Sequence, residues 1–583
     1  MRFHWLNKSI YLCVVLLLSG VMASSLQVHP PVGTVASLNA AHGDKKVSTP
    51  APRLAIVRSL PLCPKLCSSL NLHPTVQKLS RSIQQHVSFS TLVHKIARPI
   101  VMRQTENPIQ LENQKRGSIG WQLAGPVADD VQQQIKGFAS AVSVNQGDAI
   151  AFYVTVHPSQ SYTIDIYRIG WYDGYGGRLM KHLGPLNGIA QQPCPVAITT
   201  GMIECRWSAP VTFTIPHDWT SGIYLARLTN VQHYQNYIMF VVRNDQQAAD
   251  LLYQQPVDTY QAYNDYPADG LSGKSLYPYN SFGITTTVGT KQAVKVSFDR
   301  PYNGAGDGGF TSYASYELYF VRWLERMGYN VTYATDLDVH RNGAALTKYK
   351  ALLIGGHSEY WSKAMYDAAR KARDAGVNLG FFGANDVYWQ VRFEPSTVGV
   401  PNRVMVCYKT AIQYDPAPPE LKTTHWRTVG QPEQLLLGAE YGLANTIAHV
   451  APYIVTNNAS WVFKGANFKN GAQIYGLVGN EIDYQQPSDP LPPHRFYEIL
   501  SSSPFVSTLK TLHANANSVI YQAMSGAWVF DAGTLGWNWA LGRAGYMNRG
   551  IQQATQNILD RFTGAAQAQP MAVVLNNTRS QHP

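Results

Sequence analysis

Residues 351–362 read ALLIGGHSEYWS. Ala351 to Ile354 is the continuous apolar run of a strand covered on both faces, and two glycines end it. Ser362 then stands where a helix cap belongs, ahead of Met365, Ala368, Ala369 and Ala372 on one face and a closing Gly376. The strand NLGFFG (378–383) comes next. Upstream, Ser312 is placed to cap a helix with Tyr316, Phe320, Trp323, Leu324 and Met327 on its apolar face and Gly328 at its stop, followed by the strand VTYATDLD (331–338). Strands alternating with helices imply an α/β fold: a parallel sheet with helices on both faces, a three-layer sandwich, extended by later strands at QIYGLVG (473–479) and VIYQAM (519–524). In such sheets ligands gather beyond the carboxyl ends of the strands.

Before this region the period is two. AIAFYVTV, YTIDIYRI, VTFTI, IYLARL and YIMFVV, separated by turns such as Asn145-Gln-Gly147-Asp148 and Asp173-Gly-Tyr-Gly-Gly177, predict an antiparallel β-sandwich over 116–245. It carries no catalytic cluster, so docking, shielding of a neighbouring site, or glycan binding through exposed aromatics such as Trp171 and Tyr172 are its expected roles. The α/β domain then spans 246–565, with a flexible tail over 566–583.

The N-terminus reads as an export signal. Arg2 and Lys8 flank a polar start, Ile10 to Leu18 is apolar, and Val21-Met22-Ala23 offers small residues for cleavage after Ala23. The apolar run is shorter than the ~20 residues a membrane span needs, and no later segment qualifies. Residues 24–115 form a basic, low-complexity or disordered leader, in which the basic residues from Lys45 to Arg103 face only Asp44 and Glu106; most of the net charge of +11 resides there. With few aromatics and no recognition motif it reads as a solvated linker able to touch an anionic envelope, and nucleic acid is not an expected partner. The expected location is therefore secreted, extracellular or in the cell envelope. Of six cysteines, Cys194 and Cys205 bracket a hairpin and are expected to pair. Cys63 and Cys67 lack the second pair that a zinc site needs and read as a local disulfide or idle thiols, while Cys407 sits in a buried strand.

Two strand-end loops carry the chemistry. Gly355-Gly356-His357-Ser358-Glu359 and Gly383-Ala384-Asn385-Asp386 should open on one crevice, offering an acid or base in His357, an anionic ligand in Glu359 and an amide donor in Asn385. Helix capping is the plain alternative for either loop. Position 385 is Asn where a nucleophile elbow would stand, and no GxSxG occurs, so acyl-enzyme chemistry is not expected. Activated water remains, which usually calls for a metal. A histidine triad and an HExxH helix are both absent. The stretch DTYQAYNDYPADGLSGKSLYPYNS (258–281) adds Tyr260, Tyr263, Tyr266, Tyr277 and Tyr279, although with 34 tyrosines in the chain any one of them reads first as packing.

GFASAVSVNQGDAIAF, YRIGWYDGYGG, TYQAYND, GKSLY, VSFDRPY, GGHSEYWS, GFFGANDVYW and VFDAGTLGW, in order between Gly120 and Phe562, resemble the family of the N,N-dimethylformamidase large (beta) subunit. The resemblance implies a glutamine-amidotransferase-like, flavodoxin-like α/β domain with a mononuclear ferric iron held by two tyrosinates and one glutamate. Matched by motif, these are Tyr263, Tyr277 and Glu359, with Tyr260 and Tyr279 as alternatives to Tyr277; His357 and Asn385 would act on water and substrate. Two phenolates and a carboxylate balance a hard trivalent ion, which limits the cost of burying the site.

Glu481 and Asp483 in GNEIDY follow another strand and are alternatives to Glu359, or else structural. Asn303 to Gly309 reads as a cover over the crevice. Asp299, Arg300 and Tyr302 are placed to brace the pocket, and Arg300 to pair with an acidic ligand. The leading expectation is a secreted, iron-dependent hydrolase of a C–N bond in a small amide. Its expected partners are that substrate and a second copy of the chain. The competing class is an envelope- or carbohydrate-binding protein that has kept the fold and lost the reaction.

Overall fold

Leu251–Gln255, Ala351–Gly356 and Asn378–Gly383 lie side by side and parallel at the centre of a seven-stranded sheet in this computed structural model, which describes residues 107–304, 310–442, 451–506 and 513–564. The expected signal peptide, nearly all of the leader with Cys63 and Cys67, the tail, and residues 305–309 of the expected cover lie outside the described residues. Val331–Thr335 and Trp528–Asp531 continue the parallel set on either side. Val519–Ala523 and His494–Ile499 then add two antiparallel pairings, so the sheet is mixed.

Alternation along the strands sends side chains into two separate cores. Leu251, Tyr253, Tyr333 and Leu353 pack with Phe320 and Leu324 of the helix Glu317–Arg326 and with Ile558 of the helix Arg549–Thr563. Leu252, Leu352, Ile354 and Phe381 pack with Met365, Ala369 and Ala372 of the helix Lys363–Asp374. Burial on both faces is the physical reason these strands are apolar without interruption.

Local boundaries differ from the sequence expectation in three places. VTYATDLD is a strand only to Thr335, whose side chain caps the helix Asp336–Asn342 in a reciprocal box with Asp338. The helix expected from Ser312 is two, Phe310–Ser315 and Glu317–Arg326, parted by the non-helical backbone of Tyr316. Gln473–Val478 does not join the large sheet but pairs with Ala451–Ile454 in a separate ribbon. Its Gln473 and Tyr475 face solvent, which a strand covered on both faces cannot allow.

The preceding region forms a five-stranded and a three-stranded sheet. Ile150 and Phe152 of the smaller meet Ile164, Ile166, Tyr224 and Phe240 of the larger. Pairings are antiparallel except that of Ser143–Asn145 with Gln235–Arg243. The outer face of the larger sheet is covered too: Tyr167, Ile169, Leu225 and Met239 belong to the same core as the helix Glu317–Arg326. A buried ion pair, Arg168 Nη2 to Glu325 Oε1 at 2.7 Å, crosses this junction.

Among the described residues, regular structure is already present inside the segment expected to be leader. Asn107 caps the helix Pro108–Asn113 in a box with Gln110, and its buried Glu112 accepts from Lys115, Tyr172, Arg178 and Thr220. Tyr172, expected to be exposed, is fully buried in that network, and Arg326 and Arg322 lie over the Trp171 ring. Cys194 and Cys205 form a disulfide, and Cys407 is a buried free thiol.

Candidate functional site

The glycines at the strand ends are there for close approach. A Cβ on Gly383 would sit 1.6 Å from the carbonyl oxygen of Gly356, and one on Gly356 would meet the Glu317 carboxylate at 2.5 Å. Gly356 also has φ +98°, which disfavours any side chain. The two loops therefore close on each other: Ser358 N–H donates to Asp386 Oδ1 (2.6 Å), Val387 N–H to the Ser358 carbonyl (2.8 Å), and Trp389 N–H to the Glu359 carbonyl (2.9 Å). Glu359 N–H donates to Thr259 Oγ1 at 2.9 Å, which docks the helix Val257–Tyr263 beneath the loop and delivers Tyr263 from its last turn.

Four polar groups converge on the Glu359 carboxylate, which is 2% exposed. The Tyr263 hydroxyl donates to Oε2 at 2.8 Å, the Tyr277 hydroxyl lies 2.9 and 3.0 Å from its two oxygens, and Trp389 Nε1 donates to Oε1 at 2.9 Å. Tyr360 donates to the Tyr277 oxygen at 2.6 Å, and His357 Nε2 stands 3.6 Å from Oε2. The Tyr263 and Tyr277 rings stack with centroids 4.3 Å apart. Burial, and after it the Glu359 charge, pushes both phenols well above their ordinary pKa. Burial also lowers the His357 pKa against the opposing pull of Glu359, so its ring is neutral at pH 7, with Nε2 buried and accepting no hydrogen bond from the described residues.

Asn385 has a left-handed backbone, φ 54°, pinned by its N–H on Asp483 Oδ1 at 2.9 Å, and its side chain makes no hydrogen bond to Glu359, Tyr263 or Tyr277. Burial raises the Asp483 carboxyl to about 7 against that hydrogen bond. Glu481, two residues earlier, is raised to about 8 by burial and then by Glu359, and it faces Tyr441. Neither acid is hydrogen-bonded to Tyr263 or Tyr277 as Glu359 is. Tyr279 is 62% exposed, and the Tyr260 hydroxyl accepts from Gln255 and faces Glu317, so neither joins Glu359. Asp299 pairs with Arg403. Arg300 binds backbone carbonyls instead of an acid.

Lys409 has no counterpart among the residues singled out from sequence. Its ammonium stands 3.3 Å from the Tyr277 ring centroid and 4.8 Å from that of Trp389. Burial, partly offset by Glu359, lowers its pKa to about 8. The stretch VMVCYK shows a strand followed by one cation, and nothing in it announces that φ of +52° turns that cation inward. Tyr360 and Trp389 likewise carry no role in the sequence reading.

Among the described residues no three of His, Cys, Asp and Glu are grouped to hold a metal ion; the cluster at Glu359 is one carboxylate with two phenols. The family model described as N,N-dimethylformamidase beta subunit-like, C-terminal, matches residues 163–552, a span that contains every residue of this cluster. The N,N-dimethylformamidase beta subunits of Alcaligenes sp and Paracoccus aminophilus are each 22% identical over 420 residues, covering 62% of this chain and 54% of the relative. The chain thus spans about half the length of the curated relatives it matches. A solved cycloisomaltooligosaccharide glucanotransferase from Paenibacillus sp. aligns at TM-score 0.14 and 11% identity over 41% of this chain and 28% of that one, a likeness too slight to bear on the fold.

Proposed function

The chain belongs to the N,N-dimethylformamidase beta subunit-like family, and from that premise we propose that it is an exported hydrolase of a carbon–nitrogen bond in a small amide, working with a ferric ion at Glu359 on a sheet of the glutamine-amidotransferase-like class. The observation that carries this reading is the convergence of the Tyr263 and Tyr277 hydroxyls on one buried carboxylate, beside an imidazole nitrogen without a hydrogen-bond partner among the described residues.

The donor set fits a hard trivalent cation. All three groups present oxygen, and two of them hold protons that a cation would displace. Tyr263, Tyr277 and Glu359 would hold the ion, which would supply Lewis-acid polarisation of an amide carbonyl and of water. Lys409, lying over the Tyr277 ring, favours negative charge on that phenol oxygen. His357, neutral at pH 7, accepts a proton at Nε2 as water oxygen adds to the amide carbon, and returns it to the nitrogen as the C–N bond breaks. The Asn385 side-chain amide donates to the developing oxyanion, and its pinned backbone fixes that donor before substrate arrives. Stacked aromatic walls keep bulk water from the carboxylate.

The test is a panel of small formamides and acetamides given to the purified chain, with amine release as the readout. Release that falls at least a hundredfold in His357→Ala and Asn385→Ala supports the reading. A chain inert on the panel, but retained on insoluble glycan with or without Glu359→Ala, would instead make it a binding protein.

A further inference from the structure

Between the helix Val257–Tyr263 and the strand Lys295–Ser297 the chain forms neither helix nor strand, yet its path sets where Tyr277 stands relative to Tyr263. The segment is fastened from inside by two cations. Arg300 is 2% exposed and among the described residues meets no carboxylate; its Nη2 donates to the Asn264 carbonyl at 2.7 Å and its Nη1 to the Lys274 carbonyl at 2.9 Å. Asn264 follows Tyr263 directly, and Lys274 stands three residues before Tyr277. The guanidinium fork thus spans the two tyrosine-bearing ends at a fixed separation.

Lys274 is itself 1% exposed, and its ammonium donates to the carbonyls of Phe282 (2.8 Å), Ile284 (2.7 Å) and Lys291 (2.7 Å). Three donors meeting three carbonyls satisfy the whole ammonium and close the chain that follows Tyr277 back onto the chain that precedes it. Two neutral side chains complete the clasp. Asn280 Nδ2 donates to the Tyr263 carbonyl at 3.1 Å, and Ser281 Oγ to the Tyr277 carbonyl at 2.6 Å.

Resting on the function proposed above, we infer that Lys274 and Arg300 are positioning residues: carbonyl-bound cations that set the spacing of Tyr263 and Tyr277, and through it the site's hold on its metal. They touch neither Glu359 nor the phenol oxygens and act only through the backbone. Neutral side chains of similar size fill the same space but cannot reproduce charge-assisted bonds to several carbonyls at once.

The experiment compares wild type with Lys274→Met, Lys274→Arg, Arg300→Lys and Asn280→Ala, beside Ile164→Ala, a core truncation in the β-sandwich. One readout is iron retained per chain after dialysis against a weak chelator. The other is the near-ultraviolet circular dichroism of the stacked tyrosines in metal-free protein, taken as a difference against Tyr277→Phe. Lys274→Met and Arg300→Lys are expected to retain iron at least tenfold more weakly and to lose the tyrosine signal. Lys274→Arg should restore most of both, and Ile164→Ala should keep both despite lower stability. Wild-type iron retention and tyrosine signal in Lys274→Met would overturn the inference. A wild type that takes up no iron, with a tyrosine signal still lost in Lys274→Met and regained in Lys274→Arg, would sink the metal but keep the positioning role. Should Lys274→Met not fold, Arg300→Lys and Asn280→Ala decide: unchanged readouts in both overturn it.

Discussion

Glu317 illustrates how a single buried residue supports the site without belonging to it. It sits under Gly356, faces the backbone N–H of His357 and the Tyr260 hydroxyl, and has its carboxyl pushed up to about 8 by burial against the pull of those donors. In the unfolded chain it releases its proton near the ordinary carboxylate value of ~4.5. Between those two pH values the native state binds the extra proton, so this group's contribution to stability is fully present below about 4.5 and is lost as pH rises toward 8. Glu317→Gln removes that loss. Its melting temperature should therefore gain on wild type between pH 5 and pH 8, and an equal offset at both pH values would contradict the assignment. At this scale the sequence was informative where motif and strand end coincide, as at His357 and Glu359, which lie beside Tyr263 and Tyr277. It was silent at Glu317 and Lys409, because whether a charge on a helix or after a strand turns inward depends on partners distant in the chain.

Among the elements, the paired ends of Ala351–Gly356 and Asn378–Gly383 matter most, since the loops bearing His357, Glu359 and Asn385 leave from them. Gly383→Ala places a methyl against the Gly356 carbonyl, a backbone atom that cannot swing aside. The strands must part, at a cost of about 3 kcal/mol. Denaturant titration should register that loss, and iron retention should fall further than stability alone explains. A variant as stable as wild type would contradict the close approach. The strand, helix and glycine pattern here could be read directly from periodicity and caps. The ribbon Gln473–Val478 could not, because a short apolar run does not reveal which sheet it joins.

Over the whole molecule, the described residues form one compact unit, although periodicity changes near residue 245. The change of period marks a change of architecture, and both faces of the larger sheet before residue 245 are covered, which its period did not predict. Arg168 and Glu325 are both fully buried at this junction, with Tyr333 and Asn113 also donating to Glu325. Glu325→Ala leaves the guanidinium buried without its counter-ion and should cost about 3–5 kcal/mol. Calorimetry of wild type and variant should each show the strand-rich region before residue 245 and the region of the seven-stranded sheet melting in one transition. Two separated transitions in wild type would refute the shared core. The proposed function stands or falls on a ferric site formed by Tyr263, Tyr277 and Glu359. Iron content read together with the visible spectrum of the purified chain tests it most directly. About one iron per chain is expected, with a tyrosinate charge-transfer band that shifts in Tyr263→Phe and loss of both iron and colour in Glu359→Ala. A colourless wild type that binds neither ferric nor ferrous iron would contradict it.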